Sequence, residues 1–210
     1  MAAPMVKLTM KATKAVERIK ETGKKSLGKK YVDIGIKGGQ YPSDSSKGGK
    51  PLPMATLAAY LEYGWAQTVT PKQTGFFLAR YGIDIQPGMH LVNPPRPFLR
   101  GTAAAEGENW KKLFAAVIKA RGIQALPDAL QFVGERAQQD VMQTIANNGT
   151  SKQAFPPRSE LTRIMYGLDD QYTESGNERR RDGTGGQDRE QALVRKGILH
   201  KSIGYWMRND

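Results

Sequence analysis

Apolar residues recur along this chain with two periods, and the clearer one is helical. Trp110, Leu113, Phe114, Val117 and Ile118 fall at i, i+3, i+4, i+7 and i+8, with lysines between them and Gly122 after them. That spacing predicts an amphipathic helix closed at Gly122. A second helix begins near Pro127 and carries Leu130, Val133, Ala137, Val141 and Ile145 on one side until Asn147-Asn148-Gly149. The short turn between them predicts an antiparallel pair.

Before the first helix runs Val92-Asn93-Pro94-Pro95-Arg96-Pro97-Phe98-Leu99-Arg100. Its prolines fix φ and remove amide donors, so the segment is read as a rigid, surface-facing lead into the helix, with Pro97 in the first turn. Phe98 and Leu99 are expected to tuck beneath the helix while Arg96 and Arg100 face outward.

Period-two alternation marks the strands. Val32, Ile34 and Ile36 alternate with Tyr31, Asp33 and Gly35, which predicts a strand buried on one face. Pro53 opens a short helix, Met54 to Tyr63, with Leu57, Tyr60 and Leu61 on its core side and Gly64 as its stop. Thr68 to Thr70 and His90 to Val92 read as strand pieces, whereas Pro71 to Gly88, including Phe76-Phe77-Leu78, gives no assignment. Gly197-Ile198-Leu199 reads as a helical turn and Ser202 to Met207 as a last strand.

The expected fold is α+β: a small, mostly antiparallel sheet packed with the pair of long helices, plus a basic N-terminal helix and a polar arm. The divisions are 1–30, basic helix and linker; 31–150, α+β core with a mobile loop at 38–50; 151–190, polar arm or insertion; and 191–210, a helical turn and strand completing the core.

Composition narrows the chemistry. The 210 residues are 39% hydrophobic with 23 glycines and 12 prolines, enough for one core and polar extensions. A net charge of +12 attracts polyanions. No cysteine is present, so disulfides and thiolate metal sites are excluded. The lysines spread through Met1 to Lys20 interrupt any signal-peptide core, and no run approaches the ~20 apolar residues of a membrane span. The expectation is a soluble protein made in a cytoplasm.

His90 and His200, the two histidines, read as structural or solvated. Asp169 and Asp170, with Glu174, read as a solvated acidic patch beside Arg179 to Arg181. Gly38-Gly39 and Gly48-Gly49 lack the lysine-and-hydroxyl spacing of a phosphate-binding loop. No catalytic residue, metal or cofactor is expected, and the chain is not read as an enzyme. Lys7 to Lys30 carries nine basic residues against Glu17 and Glu21, which suits contact with nucleic acid through charge. No helix-turn-helix, zinc-finger or aromatic RNA-platform pattern accompanies it.

The order of these elements resembles a known family. A lysine-rich helix leads into Tyr31-Val32-Asp33-Ile34-Gly35-Ile36, a glycine-rich loop and Ala55 to Gly64. Val69-Thr70-Pro71-Lys72-Gln73, His90-Leu91-Val92 and Pro95-Arg96-Pro97-Phe98-Leu99-Arg100 follow, and last come Lys196-Gly197-Ile198-Leu199 and Ser202-Ile203-Gly204-Tyr205. This is similar to the neck and tail-completion proteins of tailed double-stranded DNA bacteriophages, also called virion morphogenesis or minor tail proteins.

The resemblance implies a small α+β virion subunit, repeated as a homo-oligomeric ring at the head-to-tail junction, that helps join a DNA-filled head to the tail. Its partners would be the neighbouring phage head-tail connector and tail proteins and, without sequence preference, double-stranded DNA; no membrane and no catalytic residues are implied. Six or twelve copies are both sensible closures. The arm from 151 to 190 departs from the family pattern in being longer and more polar.

Under this reading Arg96, Phe98 and Arg100, with Arg179, Arg180 and Arg181, are candidate subunit-interface residues. Lys24, Lys25, Lys29, Lys30, Lys47 and Lys50 are candidates to face the DNA channel. The alternative is a basic protein that coats nucleic acid without sequence preference.

Overall fold

The computed structural model describes residues 30–41, 50–165 and 198–209. The fold is α+β, with an antiparallel pair of long helices as its body and strands in antiparallel two-stranded ladders. Helix α3, Phe98–Arg121, and helix α4, Leu126–Ala146, are joined by a 3-10 turn at Ile123–Ala125. Gly122 ends α3, and Leu130, Val133, Ala137, Val141 and Ile145 are all buried on the inner side of α4, as their spacing predicts.

Against α4 lies a ribbon of β1, Lys30–Ile36, and β6, Ile203–Asn209. The register runs from Lys30 opposite Asn209 to Ile36 opposite Ile203. Gly134 sets how closely α4 approaches. A Cβ there would lie 2.5 Å from Cδ2 of Tyr205 and 2.8 Å from Cγ2 of Val32, so only a residue without a side chain fits.

β1 was expected to be buried on one face, but Asp33 and Gly35 are buried as well. Trp206 of β6 packs over Gly35, and Arg208 reaches Asp33 at 3.4 Å. Within the loop expected at 38–50, Gln40 and Tyr41 form strand. Gln40–Tyr41 (β2) pairs with Leu52–Pro53 (β3), which zips its ends together, and Met54 N donates to Gly39 O at 2.9 Å. Residues 42–49 lie outside the described residues.

Helix α1, Met54–Tyr63, starts at Pro53 and stops at Gly64 as expected, but its inner side is rotated. Met54, Ala58 and Glu62 are buried, Leu57 and Leu61 half-buried and Tyr60 exposed. The rotation follows from Glu62, which turns inward to the start of α3.

Two buried polar contacts lock the helix pair. Trp110 Nε1 donates to Asp140 Oδ2 at 2.7 Å, and the hydroxyls of Thr102 and Thr144 meet at 2.7 Å. Arg136 holds the same Asp140 carboxylate at 3.0 Å, so the buried acid is satisfied from two sides.

The segment after α4 folds back rather than departing as an arm at 151. Gly149 and Ala154 form a β-bridge, Phe155 is buried in the main core, and its N donates to Asn148 O at 2.9 Å. A short helix, α5, spans Glu160–Met165. A one-turn helix, α6 (Ile198–Ser202), then delivers the chain to β6.

Candidate functional site

The proline-rich segment is built differently from its outward-facing reading. Arg96 is only 2% exposed, and its own backbone N donates to Leu61 O at 2.8 Å. Its guanidinium donates to three proline carbonyls: Nε to Pro156 O at 3.0 Å, Nη2 to Pro157 O at 2.8 Å and Nη1 to Pro94 O at 3.3 Å. Asn93 Oδ1 accepts from Nη1 at 2.9 Å. Burial lowers the Arg96 pKa from its ordinary value, and the charge of Arg158 adds to the shift. Arg96 is therefore an internal clamp tying residues 93–97 to residues 156–157, and its expected interface role is corrected.

Phe98 is corrected in the same way. It is 0% exposed and fills the main core of its own chain, where full burial of such a side chain contributes about 1.5–3 kcal/mol. Arg100 keeps a half-exposed side chain, but its acid partner belongs to the same molecule. Its Nε lies 2.9 Å from Glu62 Oε1, Nη2 donates to Glu62 O at 3.1 Å, and the guanidinium stacks 4.3 Å from the Tyr63 ring centre.

Glu62 itself went unrecognised in the sequence. Its carboxylate accepts from Leu99 N at 2.9 Å and Arg100 N at 3.0 Å, capping α3, whose Pro97 start carries no capping side chain. A glutamate inside an otherwise apolar short helix, 37 residues from Leu99, gives no local signal of that role.

Among the proposed channel residues, Lys30 is half-buried at the head of β1 and Lys50 is exposed before β3. Lys24, Lys25, Lys29 and Lys47 lie outside the described residues, as do Arg179, Arg180 and Arg181. The structure adds exposed cations that sequence reasoning did not single out as a site: Lys111, Lys112, Lys119 and Arg121 on the outer half of α3. Lys111 is paired to Glu108, and Arg121 lies 3.8 Å from Asp128.

His90 is exposed, with Nδ1 3.2 Å from Thr68 Oγ1, and His200 is half-buried on α6. Among the described residues no group of three acidic or histidine side chains is placed to hold a metal ion, and no helix is long and apolar enough to cross a membrane.

The region that gave no sequence assignment forms the most distinctive surface. β4 (Trp65–Thr68), helix α2 (Pro71–Tyr81) and β5 (His90–Asn93) make a lobe on the main body. β4 pairs with β5 from Trp65 opposite Asn93 to Thr68 opposite His90, three residues earlier in the chain than the strand expected at 68–70. Thr70 is instead the N-cap of α2, in a reciprocal capping box with Gln73 and with Pro71 in the first turn. That Thr-Pro-x-Gln signature was readable. The run Phe76-Phe77-Leu78 obscured it, because three consecutive apolar residues carry no helical period.

The lobe has a small core of its own, Val69, Phe77 and Ile85, against which Leu161 of α5 packs. Its attachment is close-packed at Gly64. Gly64 adopts φ 72°, and a Cβ there would meet Asn93 O at 2.6 Å and Pro95 N at 2.9 Å. All four residues of β4 are exposed, and Phe76, Leu78, Met89 and Val92 are large apolar side chains with exposed surface.

No protein-family model, no curated protein and no solved structure matches this chain.

Proposed function

We propose that this chain is a structural virion subunit of the head-to-tail junction of a tailed bacteriophage. It repeats as a ring around the DNA channel and helps join a DNA-filled head to the tail. The observation that carries the reading is that, among the described residues, an apolar, sparsely charged lobe stands beside a body whose exposed charges are mostly cations. A ring subunit around DNA needs both: a face that adheres to neighbouring protein, and positive potential toward a polyanion that slides past. The ordered motifs from Tyr31 to Tyr205 support the same reading.

The test is electron microscopy of lysates from a phage lacking this gene, with and without the gene supplied in trans. Separate filled heads and finished tails that join only on complementation are the expected result. Intact tailed particles in its absence would overturn the proposal and favour the basic nucleic-acid-coating reading.

A further inference from the structure

The body and the lobe have separate cores, and one short segment is seated in both. Phe155 is buried in the core of the body, and Leu161, six residues on, packs against the lobe cluster of Val69, Phe77 and Ile85. The base of the segment is fixed where Phe155 N donates to Asn148 O at 2.9 Å and Thr150 N to Gln153 O at 2.8 Å. Six extended residues reach at most about 20 Å, and Pro156 and Pro157 stiffen the first of them. Residues 155–161 therefore act as a strap, which limits how far the lobe moves from the body while both ends are seated.

Arg96 stands where this strap crosses the two connections into the lobe. Its backbone N holds Leu61 O, three residues before Gly64, and Nη1 holds Asn93 Oδ1 at the end of β5. The same guanidinium gives Nε to Pro156 O and Nη2 to Pro157 O. One buried cation thus joins the chain entering the lobe, the chain leaving it and the strap.

A buried charge is tolerated only while its donors are satisfied. If the strap lifts, Nε and Nη2 lose their acceptors in a site closed to solvent, and water reaches them only when the junction opens. Lifting the strap and loosening the lobe are then one event rather than two. The lobe core of three buried residues is small beside that of the body, so the lobe is the side that gives. We infer that strap and lobe form one opening unit latched by Arg96, and that releasing the latch frees the lobe while the helix pair stays folded.

Native-state hydrogen exchange on the full-length chain tests this. The amides of Val69, Ile83 and Gly88 report the lobe through their bonds to the carbonyls of Met89, Phe77 and Val69, and Val141 in α4 reports the body. Arg96→Met should speed exchange at the three lobe amides by at least about tenfold and at Val141 by less than about twofold. Leu161→Ala, which touches none of the Arg96 hydrogen bonds, should act in the same way. Once the latch is released Leu161 has already left the lobe, so adding Leu161→Ala to Arg96→Met should change the lobe rates by less than about threefold. If Arg96→Met does not fold, Arg96→Lys, which keeps the charge but loses the planar fork, takes its place in the single and the double variant.

Lobe rates within about twofold of the parent's in either single variant would overturn the inference. Single effects that multiply in the double variant would mean two independent contacts and overturn the coupling. Equal acceleration at Val141 and in the lobe would mean that the lobe opens only with the whole molecule, which overturns the separate unit.

Discussion

Replacing Glu62 by glutamine isolates the contact that starts helix α3. The carboxylate is almost fully buried, and its two oxygens accept from Leu99 N and Arg100 N, with Arg100 Nε sharing Oε1. A glutamine amide keeps one acceptor oxygen and turns a donor toward the second backbone N–H. Losing one charge-assisted hydrogen bond costs about 1.5–3 kcal/mol, and leaving a buried donor unsatisfied costs about 1–3 kcal/mol. Removing negative charge from the N-terminus of α3 costs a further 0.3–1 kcal/mol or so. Because the Arg100 side chain is 47% exposed, its ion pair adds only a few tenths of a kcal/mol.

These effects overlap, and the expected loss is about 3 kcal/mol, which lowers the melting midpoint of a chain this size by about 6–12 °C. Urea unfolding followed by far-ultraviolet circular dichroism measures the loss. Hydrogen exchange at Leu99 and Arg100 localises it. Arg100→Ala is the control and should cost about 1 kcal/mol, since it removes a half-exposed ion pair and the stacking on Tyr63 but leaves both backbone amides capped. If Glu62→Gln cost less than about 1 kcal/mol, or no more than Arg100→Ala, the capping argument would fail.

Gly134→Ala should destabilise by about 1–3 kcal/mol, because overpacking against Tyr205 and Val32 outweighs the ~1 kcal/mol that alanine gains as a helix former; a urea midpoint at or above the parent's would refute this. Burial, followed by the hydrogen bond to Glu135 and that group's charge, raises the Tyr205 phenol above its ordinary pKa. The folded state therefore holds the phenolic proton more tightly than the unfolded chain, a contribution present below the unfolded tyrosine's range and lost as pH rises through the raised folded value. Tyr205→Phe should weaken the alkaline fall in stability, and identical alkaline unfolding curves for the two proteins would sink the assignment.

What could be read directly from the sequence was whatever depended on local period. The i, i+3, i+4 series in α3 and the five-residue stripe of α4 announced their buried sides because a helix repeats its facing every 3.6 residues. Strand β6 and the turn before it were legible for similar reasons. The polar interior was not. Arg96 finds its carbonyls 60 and 61 residues away, and the charge of an arginine says nothing of its direction; an outward reading follows from average behaviour and fails where distant backbone supplies enough acceptors to bury the guanidinium. Phe98 was correctly placed beneath the helix, and the same burial removes it from the surface where an interface would need it. The lobe was missed because its helix is exposed on most sides, with Phe77 its single buried residue, so no apolar stripe announces it.

The pairing of β1 with β6 also bears on how the protein is made. Asp33 and Arg208 face one another across 175 residues of sequence, whereas α3 and α4 are sequential neighbours. The helical hairpin is therefore free to collapse early from contacts close in sequence, and the ribbon is left among the last pieces to close. At ribosomal speeds of about 5–20 residues per second, β1 waits roughly 9–35 s after synthesis before its partner exists. Through that interval Val32 and Ile34 sit on an unpaired strand, and the nascent chain is most exposed to aggregation and to chaperone capture until β6 emerges.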